Sequence, residues 1–561
     1  MAGLTLPKFY GRAVDQAQHL LTHGGEAARH ALAVTALLVI VTAAARGLLT
    51  GFSGFLAEAC SQKVAYDLRL QFFRQLQRLS FSFHDKMHSG ELITRGMLDL
   101  EATRGFIQGG MMQSLTLLLL IASSAILMVA TDARLAAFAL AFVPIAGFAL
   151  TRMGMLLRIA WLKVQQTLAA LTLTIEENLQ GVRVVRAFAG KAFEMAKFDK
   201  AADEALKESF DRIKLRLRAS ATMNLSFYSS MALLLWYGGQ QVIAHRITVG
   251  RLTEFLTYMT MLQAPIRQIT LIVSQASRTT SSGGRLFEIL DLEPAIYDPP
   301  AAPDLAAKPG VVRFEDVGFA YEPGKPVLHD ISFEVGPGQT LGIVGPPGSG
   351  KSTIANLIPR FYDATAGRIT INGQDVRAVT LESLRTHVGL VQQEAFLFDE
   401  TVRSNVAYAE PAAEDERVHA AARAAQIHDY VHDLPARYES RVGERGVALS
   451  GGQRQRMSIA RGLTPGPRVL VFDDSTAAVD AVTERKVRDA IAAAGAARTV
   501  IVISHRLSAL MHADEILVLD AGRIVERGSH AALLKLGGVY ADLFALQSRP
   551  VADAPDAMAP A

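Results

Sequence analysis

Three short stretches hold residues of the kind that handle phosphate and water. Gly345-Pro346-Pro347-Gly348-Ser349-Gly350-Lys351-Ser352 fits the pattern G-x-x-x-x-G-K-[ST]. An apolar run at 341–344 precedes it and a helical pattern opens at Thr353, the strand–loop–helix setting that gives this pattern its meaning. Gly345, Gly348, Ser349 and Gly350 belong to a loop whose backbone N–H groups, with Thr353 at the start of the helix, can close around phosphate oxygens. Lys351 adds a point charge at the β and γ phosphates, and the Ser352 hydroxyl suits Mg²⁺. The second stretch, 469–473, is an apolar strand ending in Asp473, a carboxylate placed to hold Mg²⁺ directly or through water. The third is Leu449-Ser450-Gly451-Gly452-Gln453. The expected cofactors are ATP and Mg²⁺.

The third stretch is the most specific, and with it the chain resembles the ATP-binding cassette (ABC) transporter superfamily in its exporter branch. The resemblance implies that Ser450, Gly451, Gly452 and Gln453, at the start of a helix from Gln453, receive the terminal phosphate of a nucleotide held by a second cassette. The chain has one cassette, so a second ABC half-transporter is the implied partner, in a homodimer or a heterodimer. The resemblance also assigns Tyr321 to stacking on adenine, and Gln393 to Mg²⁺ and the attacking water. It assigns Glu444 to the loop ahead of the signature, Asp480 to the dimer interface and His505 to the γ-phosphate. Lys351, Gln393, Asp474 and His505 are the expected catalytic set. In the membrane half, residues 89–95 look like a first coupling region and residues 180–188 like the stretch leading out of a second.

These groups need a scaffold, and the chain supplies two kinds. Hydrophobic runs at 30–59, 111–130, 135–157, 223–243 and 252–273 all lie in the first half, with Arg46 inside the first run and Pro265 and Arg267 interrupting the fifth. Apolar runs of about 20 residues suit membrane helices. Basic residues crowd the two long segments between the first and second runs (Lys63 to Arg104) and between the third and fourth (Lys163 to Arg218), which places both on the cytoplasmic side. Half of the 561 residues are hydrophobic and a fifth are charged, which favours a membrane protein. The net charge of +3 gives no argument for nucleic acid, and the single cysteine, Cys60, excludes an internal disulfide or a cysteine metal cluster. The fold class expected is a multidomain chain. An all-α transmembrane bundle over 1–290 and a proline-rich linker at 291–310 lead to an α/β P-loop NTPase domain with an ABC signature subdomain over 311–546. A disordered tail follows at 547–561. The expected location is the cytoplasmic membrane, multi-pass, with the cassette in the cytosol.

Two departures from the family pattern stand out. Exporters commonly carry Glu where this chain has Asp474. Asp is shorter by one methylene, which sets its carboxylate back by roughly 1.5 Å, and a misplacement of about 1 Å can cost on the order of a hundredfold in rate. Either this chain is the slow-site member of a heterodimer, or Asp474 suffices in a homodimer. The second departure is the span count: five runs are visible where the family has six, and residues 6–15 resemble the outer end of a first helix whose crossing part lies upstream. The expected function is ATP-dependent export of a hydrophobic or amphipathic molecule across the bilayer. The alternative is an ATP-gated regulatory subunit or channel. A soluble ABC ATPase is disfavoured by the apolar runs, and an importer by the fusion of both domains in one chain.

Overall fold

The computed structural model describes residues 2–306, 310–475, 481–493 and 498–548. Two compact units form: Met1–Gln77 with Ser89–Leu292, and Arg78–His88 with Glu293–Ala561.

The first unit is helical. Helix α1 (Leu6–His23) ends at Gly24 and Gly25, whose φ angles of 65° and 114° only glycine adopts freely. Then follow α2 (Glu26–Arg78), α3 (Phe81–Lys86, which belongs to the second unit), the continuous run α4 (Ser89–Thr131), α5 (Ala133–Gln180), the short α6 (Val182–Ala187), α7 (Lys191–Ile243) and α8 (Val249–Leu290). All five apolar runs lie on α2, α4, α5, α7 and α8. Among the described residues, α2, α4 and α5 are long and apolar enough to cross a membrane; the apolar windows of α2 and α4 are only 6% and 11% buried. Apolar surface left this bare is matched to lipid rather than water. At 53 residues, α2 is about 80 Å long at 1.5 Å per residue, against a hydrocarbon core of about 30 Å, so most of it extends beyond the bilayer. Pro265 does not break α8, which runs through it; neighbouring helices can compensate a proline in this setting. The core of the unit joins Met128, Leu135, Phe142, Phe227, Phe255, Tyr258 and Leu262.

Helix α4 carries two π-helical turns, Arg95–Asp99 and Phe106–Met111. Asp99, buried in the first, receives hydrogen bonds from Arg285 Nη2 at 2.5 Å and Nε at 2.9 Å. Arg95 reaches the Arg285 carbonyl and Glu288, as well as Glu91. Residues 89–95 are thus knitted into the membrane unit. The segment packed on the cassette is the preceding one: Phe81 stacks on Phe361 at 4.2 Å, and the Tyr362 hydroxyl donates to Asp85. The stretch expected as a first coupling region, 89–95, thus belongs to the membrane unit, and residues 78–88 belong to the cassette unit. The second expected region forms α6 and the turn after it, with Phe188 83% exposed.

The cassette unit contains two sheets. Strands β1 (Val312–Glu322), β2 (Lys325–Val335), β4 (Ala366–Ile371) and β5 (Gln374–Asp375) form an antiparallel sheet in the order β2-β1-β4-β5. The larger sheet runs β10-β9-β3-β8-β7-β6, with β3 (Thr340–Val344), β6 (Val388–Val391), β7 (Val469–Asp473), β8 (Thr499–Ile503) and β9 (Glu515–Asp520) parallel and β10 (Arg523–Gly528) antiparallel at the edge. Strand β7 is buried at every position, as its unbroken apolar sequence requires when both faces are covered. Helix α9 (Lys351–Leu357) follows β3, and α10 (Gly451–Leu463) precedes β7. The chain is helical to Ser548 in α11 (Val539–Ser548), so the boundary expected at Gln547 lies too early.

Candidate nucleotide site

Three parallel strands set the site. β8 pairs with β3 on one side and β7 on the other, so the loops after all three emerge at one carboxyl edge, where ligands bind in such sheets. After β3 comes the phosphate loop. Gly348 and Gly350 have φ of 81° and 98°, and a Cβ on Gly350 would lie 2.5 Å from Leu328 Cδ2. Only glycine fits there. The loop ends on α9, whose first-turn amides have no partner within the helix. Lys351 Nζ donates to the Gly345 and Pro346 carbonyls, each at 2.9 Å. The Ser349 hydroxyl is buried without a hydrogen-bond partner. A buried unpaired hydroxyl is costly, and its presence in this loop fits a ligand rather than packing.

Asp473, at the end of β7, accepts from Ser352 Oγ at 3.0 Å. A hydroxyl and a carboxylate oxygen therefore share one spot, a donor pair that suits Mg²⁺, which takes few protein ligands and completes its shell with phosphate and water. Among the described residues no cluster of three His, Cys, Asp or Glu side chains could hold a metal alone. Burial pulls the Lys351 ammonium below its ordinary value, against the attraction of Asp474 and Asp473. Burial also pushes the Asp473 carboxyl up, with Ser352 opposing and Asp474 adding. An anion beside Lys351 and a cation beside Asp473 would each favour the charged form that burial opposes.

Asp474 sits at φ 48°, an uncommon conformation for a residue with a side chain. Its amide is tied to the Ile503 carbonyl at 2.8 Å. Its carboxylate is turned to the loop after β8: it lies 2.5 Å from His505 Nδ1 and accepts from the His505 amide and the Ser504 hydroxyl, each at 3.3 Å. The pairing of Asp474 with His505 is not visible from motifs alone, and Ser504 carried no sequence signal. Behind this loop Gln547 donates to the His505 carbonyl at 2.7 Å and accepts from the Leu507 amide at 3.0 Å. No sequence signal links Gln547 to a histidine 42 positions away.

Other expected residues fall variously. Tyr321 is 42% exposed, leaving ring surface open, while its hydroxyl meets Thr353 Oγ1 at 3.1 Å. Gln393 is exposed on the loop after β6. Glu444 is exposed on the turn Glu444–Gly446. Asp480 lies outside the described residues. The signature helix begins at Gly451, two residues before the expected Gln453, because Ser450 is its N-cap. Ser450 Oγ accepts from the Gln453 amide at 3.3 Å while Gln453 Oε1 accepts from the Ser450 amide at 2.7 Å. This capping box was legible as Ser-x-x-Gln. The hydroxyl accepts here and keeps its proton to donate.

Comparison with known proteins agrees with this geometry. The description "ABC transporter transmembrane region" matches residues 2–266, and "ABC transporter" matches 328–477. An ATP-dependent lipid A-core flippase of Syntrophus aciditrophicus is 35% identical over 91% of this chain and 85% of its own. A Bacillus subtilis ATP-binding/permease protein named for multidrug export is 34% identical over 97% of this chain and 94% of its own. The structure of a bacterial Atm1-family ABC exporter with ATP bound superposes with a TM-score of 0.82 at 30% identity, covering 98% of this chain and 96% of that one.

Proposed function

This chain belongs to the ABC transporters, as an exporter-type half-transporter that couples ATP hydrolysis to transport across the membrane, and we propose that it works as half of a two-cassette dimer whose own phosphate loop forms the slower ATP site. The cargo we propose is hydrophobic or amphipathic. The names of its relatives, lipid A-core flippase and multidrug export protein, support that class.

The observation that carries the slow-site reading is the engagement of Asp474. Its carboxylate, already short by a methylene, is held by His505 and Ser504 on the switch loop. To polarise a water at the γ-phosphate it must give up those partners or act at longer reach, and either raises the barrier. Lys351 exchanges two carbonyls for phosphate oxygens when nucleotide binds. Ser352 and Asp473 are the residues that would hold Mg²⁺, which when bound neutralises phosphate charge. The partner's cassette supplies a signature end to this loop, and this chain's Ser450 supplies one in return. In the homodimer reading, the close Asp474–His505 pair works as a unit at both sites.

The test is the ATPase rate of the chain purified alone, as wild type, Asp474→Glu and Asp474→Asn. We expect slow turnover, raised by about tenfold or more in Asp474→Glu, the inverse of the loss that a displacement of about 1 Å produces. Vigorous wild-type turnover that Asp474→Asn abolishes would establish the homodimer reading instead.

A further inference from the structure

We propose that the non-cytoplasmic end of the membrane unit carries a preformed binding site for the phosphate of a lipid head group. The site is an open cleft of about 840 Å³ framed by α1, the end of α7, the turn into α8 and the first turns of α8. It lies at the end of the bundle opposite the two long basic segments, where the charge rule puts the outer face of the membrane. The site does not depend on which molecule is exported.

The walls of the cleft are fixed. Gly11 and Gly250 meet backbone to backbone: a Cβ on Gly250 would lie 2.0 Å from the Gly11 carbonyl oxygen, and one on Gly11 would lie 2.5 Å from that of Gly250. Asp15 accepts from Thr248 Oγ1 at 2.8 Å with one oxygen and from the Gly250 amide at 2.7 Å with the other. One helix turn or more deeper, the Tyr258 hydroxyl donates to the Leu4 carbonyl at 2.9 Å.

Charge is left over inside this frame. Lys8, Arg12, Arg246 and Arg251 line the cleft with two carboxylates, Asp15 and Glu254. Asp15 is already engaged in holding α1 to α8. Among the described residues none of the four side-chain cations is in an ion pair or hydrogen bond; Lys8, Arg12 and Arg251 attract the Glu254 carboxylate from farther off, and four cations against two carboxylates leave the cleft positive. Cations gathered by a rigid scaffold repel one another, and an anion entering among them removes that repulsion. Arginine forks suit phosphate oxygens in particular. Val242, Ile247 and Val249 add apolar wall beside the cations, which favours a phosphate carried on a hydrocarbon anchor over a free one.

The experiment is a lipid titration of the purified full chain by native mass spectrometry, with phosphatidylglycerol, phosphatidylcholine and glycerol 1-phosphate as probes. We expect one saturable phosphatidylglycerol that binds at least tenfold more tightly than phosphatidylcholine and is not displaced by millimolar glycerol 1-phosphate. Replacing Arg12, Arg246 and Arg251 together by Gln should weaken phosphatidylglycerol binding on the order of a hundredfold, at roughly fivefold per cation. Arg134→Gln, on the same outer side but not lining the cleft, should change it by less than about twofold. If the triple variant is misfolded, judged by lost ATPase activity or aggregation, Arg246→Gln on the exposed turn carries the test with its fivefold loss. Unchanged affinity in the cleft variants, or an equal loss in Arg134→Gln, overturns the site. Displacement by glycerol 1-phosphate overturns the lipid as its occupant.

Discussion

The phosphate loop and the signature helix both present backbone amides at a helix start, yet they are built in opposite ways. The loop is incomplete in itself: Ser349 has a buried hydroxyl without a partner, Gly348 and Gly350 hold left-handed backbone, and Lys351 is half-buried against carbonyls. The signature end is half closed: Ser450 and Gln453 satisfy each other's amides, the cap does not reach those of Gly451 and Gly452, and Ser450 is exposed. An end that already satisfies two of its four orphan amides gains less from a free anion than an end that satisfies none. The difference teaches an order of events. In the proposed dimer, nucleotide would be captured by the loop, and the signature would meet it only as a second cassette carries it in.

Four variants would break or sharpen this contrast, each measured as ATP binding and turnover by the chain purified alone, where any two-cassette site is built from this chain's own loop and signature. Lys351→Ala should have the largest effect, a loss of turnover on the order of a thousandfold together with weakened ATP binding; full ATP affinity would mean the loop is not the capturing element. Gly350→Ala places a Cβ on Leu328 at φ 98° and should destabilise the cassette by about 1–3 kcal/mol, read as a lower unfolding midpoint that ATP raises less than in wild type. Ser450→Ala removes a cap worth about 1 kcal/mol. It should leave ATP affinity within twofold while turnover falls about tenfold, and a loss of affinity equal to that of Lys351→Ala would erase the distinction. Gln547→Ala should lower kcat a few-fold at unchanged KM, since it frees the switch loop by removing hydrogen bonds worth about 1 kcal/mol each. An unchanged kcat would make Gln547 a helix anchor only.

The cassette was readable where chemistry is local. Strand, loop and helix around Lys351 follow one another in fewer than twenty residues, and the apolar runs at 340–344, 469–473 and 499–503 could be nothing but buried strands once paired with that loop. What escaped depends on contacts between distant residues. Val312–Glu322 alternates buried and exposed positions only because β2 and β4 flank it. Phe81 and Asp85 find Phe361 and Tyr362 across more than 270 positions, and no periodicity announces that. Asp474 and His505 were each visible, but their partnership arises from the pairing of β7 with β8. The signature cap was the exception: its spacing was on view and was read only for phosphate.

The two wide turns of α4 have a consequence for how that helix keeps its face. A π turn takes up one extra residue and so retards the winding. Asp99, Ala102 and Gly109 all stay toward α8, opposite Arg285, Thr279 and Gln275 in turn. Deleting one residue from either wide turn would swing everything beyond it by about 100°. A single missing codon would thus uncouple this pair of helices along their length while every nucleotide-binding group stayed in place.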